Sequence, residues 1–410
     1  MFDINDLTIM VPGAVREILK TLQDAGYEAY IVGGCVRDAI LGLEPKDWDI
    51  TTSALPEQVK SLFSNTVDTG IQHGTVMVIR HGIGYEVTTY RIDGEYKDGR
   101  HPENVTFTRS LAEDLKRRDF TINAFAYSPE KGVVDMFDGL EDLENRLIRC
   151  VGDPNARFSE DALRIMRAVR FSAQLAFRIE TVTLAAIGRH VQNLSNVSME
   201  RIRVEFEKTL LSDHPEKVVQ YASLGMASFI IPEETLVKRC FDPEIAECYL
   251  KVSGTEEEKK VLRLAAFFHN LSADETKRAL KLMKYDNRTI KLVSGVIQYK
   301  DTLIKAEKSE VKRALHEQGE ELLDFVLSYK ETVLNIPVDK IRAVRDIIIE
   351  TGEPYEIAHL AVSGSDLIEA GIPKGVLVGQ TLRELLDQVI EDPDLNHRET
   401  LLGLINKQRG

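Results

Sequence analysis

The chain has 410 residues, 43% of them hydrophobic and 29% charged, with a formal net charge of −14. That length suits two to four domains with ordinary cores. No apolar run reaches the roughly eighteen residues that span a bilayer, the acidic start MFDINDLTIMVPG does not read as a signal peptide, and Cys35, Cys150, Cys240 and Cys248 fall in no C-x-x-C pattern, so free thiols in a cytoplasmic protein are expected.

Pro12 opens an amphipathic helix that ends near Gly26, and Glu28 to Val32 reads as a strand. Gly33-Gly34 turns the chain into a helix over Cys35 to Leu41, which stops at Gly42. Trp48 to Thr52 reads as a second strand, with Ser53 capping a helix over Glu57 to Phe63. Val76 to Arg80 and Tyr85 to Tyr90 form a strand pair around His81-Gly82. Arg91 to Asn104 is polar and glycine-containing and reads as a loop, and Ser110 with Glu113 makes a capping box for the helix that follows. After short strands near Val133 to Met136 and Leu147 to Val151, the pattern from Ser159 onward is helical. The expected fold class is α+β: a small head of mixed helices and strands, then an extended all-helical remainder with boundaries near 210 and 355.

Total charge does not exclude a nucleic-acid partner, because the charge is uneven. From Asp161 to Lys208 eight basic residues face five acids, whereas from Thr351 to Gly410 five face ten. A locally positive surface in an acidic protein can hold a phosphate backbone.

Three stretches carry chemistry. In IVGGCVRDAILGLEPKDWDITT, Gly33 and Gly34 let backbone N–H groups approach phosphate oxygens at a helix start. Asp47 and Asp49, two apart on a strand, face one side and suit two Mg²⁺ ions clamping an attacking oxygen and a leaving pyrophosphate. Glu86 is a candidate third carboxylate, or a solvent-facing strand residue. In LAEDLKRRDFTINAFAY, Arg117, Arg118 and Asp119 sit between two helices beside the apolar Phe120, Ile122, Ala124 and Phe125, and arginine forks there suit a triphosphate. Asn123 could hydrogen-bond a ribose or simply pack. In RFSEDALRIMRAVRF, Ala162, Ile165, Met166 and Val169 form a buried stripe, while Asp161, Arg164 and Arg167 share another face. Such spacing is also that of a solvated ion-pair face. Its chemistry, however, fits base selection: a carboxylate accepts from the exocyclic amine that C and A carry, and an arginine donates to the adjacent ring acceptors. A fixed Asp161–Arg164 pair would then select C and A without a template, with Arg167 and Arg170 supporting phosphates or primer.

GGCVRD with DWD, RRDFTINA, EDALRIMR and SMERIRVEFEK resemble, in order, the motifs of class II (bacterial-type) tRNA nucleotidyltransferases, the CCA-adding enzymes of the DNA polymerase β-like superfamily, which share their head with poly(A) polymerases. The tail DLIEAGIPKGVLVGQTL resembles that family's last domain. The resemblance implies a nucleotidyltransferase head at 1–150, a base-selecting helical neck at 151–210, a helical body at 211–355 and a helical tail at 356–410. It implies ordered addition of C, C and A to tRNA from CTP and ATP, two Mg²⁺ ions at Asp47 and Asp49, and nucleotide contacts at Gly34, Arg37, Arg118, Asp161, Arg164, Arg167 and Arg170. Cys35 departs from the family's usual Ser or Thr. YRIDGEYKDGRHP resembles the intact flexible loop, which disfavours a CC-only enzyme, and the basic segment typical of poly(A) polymerases is absent. An A-adding specialist and a poly(A) polymerase remain alternatives, as does an inactive nucleotide-binding relative.

Overall fold

The computed structural model describes residues 9–94 and 105–409, and the chain forms two compact units that divide between Val237 and Lys238. In the first unit α1 (Gly13–Asp24) buries Val15, Ile18, Leu19 and Leu22, the stripe its spacing dictates. β1 (Ala29–Val32) is buried throughout, and Gly33 then turns the chain into α2 (Gly34–Ile40). β2 (Ile50–Thr52), α3 (Pro56–Leu62), β3 (Thr66–Gly70), β4 (Thr75–Arg80) and β5 (Ile83–Thr89) follow. The β4–β5 hairpin closes through His81 at φ 51° and Gly82 at φ 80°, the paired positive angles that suit the twist of a tight hairpin.

β6 (Arg91–Asp93) and β7 (Val105–Phe107) pair as a separate antiparallel ribbon. Residues 95–104, most of the expected loop from Arg91 to Asn104, lie outside the described residues. α4 (Leu111–Lys116) starts at Ser110, whose Oγ accepts the Glu113 N–H at 3.4 Å. β8 (Phe125–Ser128) and β9 (Gly132–Asp135) complete a seven-stranded sheet of order β3-β4-β5-β2-β1-β8-β9. Within it β2 and β5 run parallel and the other neighbours antiparallel. Tyr30, Val32, Tyr90, Leu111, Leu115 and Ala126 pack against this sheet as one core, each large side chain contributing about 1.5–3 kcal/mol. Then come α5 (Gly139–Glu144), β10 (Leu147–Ile148), α6 (Pro154–Glu160), α7 (Leu163–Leu175), β11 (Arg178–Ile179), α8 (Thr181–His190) and α9 (Met199–Leu210).

The second unit is helical among its described residues. Val311, Leu315, Leu323, Leu327 and Ile348 form one core, and Leu367, Leu385, Leu386, Val389 and Leu401 another. No helix among the described residues is long and apolar enough to cross a membrane. All four cysteines are unbridged.

The α+β expectation holds: a mixed-sheet head precedes helices. Several local expectations do not. β2 begins at Ile50, so Asp47 and Asp49 lie on the extended approach to the strand and not within it. Leu55, with the Gln58 side chain returning to its N–H, opens α3; Ser53 Oγ instead accepts the Glu28 N–H at 2.9 Å. The apolar run after Asp119 becomes a short 3₁₀ turn over Thr121–Asn123 and then the strand β8, because an apolar run buried on both faces carries no period that separates strand from helix. Asp161 sits at the break between α6 and α7, so it shares no helical face with Arg164. The two-residue β11, beyond Ser159, pairs in parallel with β10.

Candidate active site

A cleft of about 420 Å³ in the first unit gathers residues from the β1–α2 turn, the edge of β2, the end of α4, the 3₁₀ turn and α7. Gly33, Gly34, Arg37, Asp49, Arg118, Asp119, Asn123, Asp161, Arg164, Arg167 and Arg170 all line it, so the structure collects every expected nucleotide-binding position in one place. Gly33 holds φ 83° and ψ −140°, and a Cβ there would stand 3.0 Å from Arg118 Nη1. Glycine is therefore needed twice over, for the angle and for the arginine that crosses the turn.

Asp47 and Glu86 do not line the cleft, but they belong to its carboxylate edge. Ile50 of β2 pairs with Val87 of β5 in parallel register, which sets Asp49 and Glu86, one residue before each, beside one another. Enclosure by the cleft pushes the Asp49 carboxyl up; Arg118 opposes this and Asp47 adds to it. Partial desolvation also raises Glu86, with Asp49 and then Asp47 contributing. The three acids thus repel one another at one edge. Among the described residues no three His, Cys, Asp or Glu close on a common metal position.

The cationic wall is held by buried acids. Asp119 accepts from Arg167 Nε at 2.7 Å, from Asn123 Nδ2 at 3.1 Å and from the Phe120 N–H at 2.8 Å. Burial would push its carboxyl up, but Arg167 and Asn123 outweigh that and bring it down to about 2. Arg37 donates to Asn123 Oδ1 and to Asp38. Arg170 pairs with Glu205 at 2.6 Å, and Arg164 with Glu160 at 2.6 Å. Asp114, fully buried, accepts from Arg117 Nε at 3.0 Å and from Thr51 Oγ1 at 3.2 Å, and it faces Arg118 at 3.6 Å. Burial raises its carboxyl too, yet Arg117 and Arg118 hold it below the ordinary carboxylate value.

Asp161 and Arg164 both line the cleft, each held by partners of its own. Asp161 accepts from the Leu163 N–H and from Arg201 Nη2, both at 3.0 Å, while Arg164 turns to Glu160 and to the carbonyls of Arg157 and Arg117. The break between α6 and α7 explains this: Asp161 points back to cap α7 and so faces α9, which carries Arg201. Phe171, not foreseen from sequence, is the platform of the wall. Arg170, Arg37 and Arg167 lie 4.1, 5.2 and 5.3 Å from its ring centre, and Phe120 meets its edge. Asp114 and Phe171 were visible as spacings, at i−3 and i−4 from Arg117 and Arg118 and at i+4 from Arg167. Glu205 and Arg201 were not, since only the tertiary fold brings α9 against α7. Cys35 donates its thiol to the Val32 carbonyl at 3.2 Å, and burial pushes that thiol up to about 11.

Arginine forks in a walled cleft bind phosphoryl oxygens, and acids at its edge complement a cation bridging those oxygens. Comparisons with known proteins agree. The poly(A) polymerase head domain matches residues 29–149, the RNA- and SrmB-binding region of polymerase A matches 176–235, and tRNA nucleotidyltransferase domain 2 matches 255–405. The CCA-adding enzyme of Leuconostoc mesenteroides is 42% identical, covering 94% of both chains, and that of Pediococcus pentosaceus is 41% identical, covering 96% and 97%. The crystal structure of the Bacillus stearothermophilus CCA-adding enzyme in complex with CTP superposes with a TM-score of 0.85 at 32% identity, over 98% of this chain and 99% of that one. The Thermotoga maritima CCA-adding enzyme complexed with tRNA has the same fold, with a TM-score of 0.65 at 21% identity over 98% and 97% of the two chains.

Proposed function

This chain belongs to the CCA-adding enzyme family, and on that premise we propose that it adds C, C and A in order to the 3′ end of tRNA, taking CTP and ATP and releasing pyrophosphate at each step. The observation that carries the reading is the cleft itself, where the Asp49 edge faces Arg37, Arg118, Arg164, Arg167 and Arg170 across about 420 Å³. The same reading divides the chain into a head at 1–150, a neck at 151–210, a body at 211–355 and a tail at 356–410, and places its work in the cytoplasm, where tRNA, CTP and ATP meet.

Asp47 and Asp49 would hold two Mg²⁺ ions, with Glu86 beside them as a further acceptor. When bound, such ions acidify an attacking hydroxyl and neutralise a leaving pyrophosphate. The chain's own residues do the positioning. Gly33 and Gly34 keep the turn clear of side chains, so a triphosphate can approach the backbone. Arg118 and Arg37 supply forked donors to its oxygens, while Asp119 and Asn123 fix the orientation of that wall. Asp161 keeps acceptor capacity for an exocyclic amine even with Arg201 attached, because a carboxylate offers about four lone-pair sites. Arg164, steadied by Glu160, donates to the ring acceptors of C or A. Arg167 and Arg170, spread on Phe171, support the phosphates or the primer.

Three substrates test the reading: tRNA ending at the discriminator base, tRNA ending in CC, and a generic oligonucleotide, each with labelled CTP, ATP, GTP and UTP. The expected result is C, C and A on the first and A alone on the second. Incorporation of A on the second without any C on the first would identify an A-adding specialist. Long A tails on the generic RNA would identify a poly(A) polymerase, and no incorporation would leave a binding protein.

A further inference from the structure

α6 is seven residues long and ends at the Asp161 break, too short to be stable without outside ties. Two arginines, one on each side of that break, fasten it to the end of α4. Arg157 Nη1 donates to the Lys116 carbonyl at 3.1 Å, and Arg164 Nη2 donates to the Arg117 carbonyl at 3.0 Å. Carbonyls at a helix C-terminus have no partner within the helix and attract cations. Glu160 then joins the two arginines, its Oε1 accepting from Arg157 Nη2 at 2.5 Å and its Oε2 from Arg164 Nη1 at 2.6 Å. The Arg157 carbonyl accepts a further bond from Arg164 Nη1 at 3.2 Å.

Arg164 lines the cleft, whereas Arg157 and Glu160 do not. Whatever Arg157 does for a nucleotide in that cleft therefore passes through Glu160 and α4. A glutamate side chain held by one partner follows that partner; held from both sides, it stays in place and fixes the guanidinium it faces. Arginine suits this brace, because one rigid fork reaches a carboxylate and a carbonyl at once, while a lysine ammonium acts as a point charge. The two braced carbonyls belong to the residues just before Arg118, so the brace ties Arg164 to the arginine that crosses the Gly33 turn. The other end of α6 is tied separately, Arg189 Nε of α8 donating to Asn155 Oδ1 at 3.0 Å. A mere strut for α6 would depend on both ties alike.

Resting on the reading of Arg164 as the side chain that addresses the base edge of C and A, we infer that Arg157 is a positioning residue for nucleotide choice: it locks Glu160 and the end of α4, and so sets the direction in which Arg164 points. The test compares kcat/KM for CTP and for UTP, using the full chain and tRNA lacking its terminal CCA. Arg157→Gln is expected to lower the CTP-over-UTP ratio about tenfold, as for loss of a charge-assisted hydrogen bond, with KM for tRNA unchanged. Arg157→Lys keeps the charge without the fork; it falls between the two and carries the measurement if the glutamine variant does not fold. The double variant Arg157→Gln/Glu160→Gln does no more than the larger single change, because both act through one contact. Arg189→Gln, which loosens α6 from α8, leaves the ratio alone. A wild-type ratio in the Arg157 variants, whatever their Tm or turnover, would overturn the inference, and so would an equal fall in Arg189→Gln. Equilibrium binding of labelled CTP and UTP to the full chain without tRNA reads the same preference apart from chemistry. Loss of that preference in Arg157→Gln, beside a wild type that bound selectively but incorporated nothing, would end the tRNA-extending reading and leave the brace standing.

Discussion

The two units treat positive charge in opposite ways. In the cleft of the first unit, Arg167, Arg170 and Arg164 each meet an acid within 2.6 Å, and Asp119, Asp114 and Glu205 are themselves buried. In the second unit, the exposed Lys277, Lys281 and Lys291 meet none among the described residues. Arginines paired with buried or half-buried acids are fixed in direction before a ligand arrives, which is what recognition of one nucleotide demands. Unpaired lysines on flexible stems attract any phosphate string, and salt weakens them.

The contrast breaks most completely at the carboxylate edge. Asp49→Ala removes the one acid of that edge that lines the cleft itself, and incorporation is expected to fall by at least about 10³-fold, the equivalent of roughly 4 kcal/mol of transition-state charge stabilisation. Single-turnover assays with saturating CTP and tRNA would check this, and tRNA binding should persist. A variant that retained a tenth of wild-type activity would remove Asp49 from the chemistry.

Next in size is the acid that holds the wall. Asp119→Ala leaves Arg167 with a charge in the cleft and no partner, a change that costs about 3–5 kcal/mol for fully buried pairs. Here the lower end is expected, because the Arg167 side chain keeps 34% of its surface in solvent. The carboxyl of Asp119 is held at about 2 in the folded chain, against about 3.9 when unfolded. Its contribution is therefore complete above roughly pH 4 and is lost as pH falls toward about 2. Thermal melts between pH 5 and pH 2 should show Asp119→Asn losing less stability on acidification than the wild type; equal losses would mean that Asp119 does not govern acid sensitivity.

How legible this was in the sequence follows from how local each feature is. The Gly33-Gly34 turn, the Asp47-x-Asp49 pair and the Arg117-Arg118-Asp119 cluster are contiguous, so their grouping survives any packing of the helices. The seven-stranded sheet was only partly visible: β8 is buried on both faces and has no alternation to betray it, and β3 is a short irregular strand whose register shifts between Val67 and Gly70. The pairing of Asp161 escaped for a different reason. Helical spacing joins it to Arg164, but the chain breaks at Asp161, and its true partner, Arg201, lies forty residues away. Intermediate in size is the effect expected there. Arg201→Gln should loosen Asp161 and lower the preference for C and A over U and G by about tenfold, as for loss of one charge-assisted hydrogen bond of roughly 1.5 kcal/mol. Arg201→Lys should recover part of it. Competition between labelled CTP and UTP measures the change, and a variant with slower turnover but intact preference would make Arg201 merely structural.

The smallest effect belongs to Cys35, the position where this chain departs from the Ser or Thr of the enzymes it resembles. Its thiol points at the Val32 carbonyl and is buried, so it does not line the cleft. A serine hydroxyl in the same rotamer would donate to the same carbonyl, trading a weak sulfur donor for a stronger oxygen one in a slightly looser pocket. Cys35→Ser should therefore shift stability by less than about 1 kcal/mol and activity by less than about threefold. With the thiol pushed up to about 11 by burial, hardly any thiolate exists near pH 8, and the native chain should resist alkylation at Cys35 while the unfolded chain reacts. Rapid modification of the native protein by iodoacetamide, mapped to Cys35, would show instead that the thiol reaches the nucleotide side of the turn.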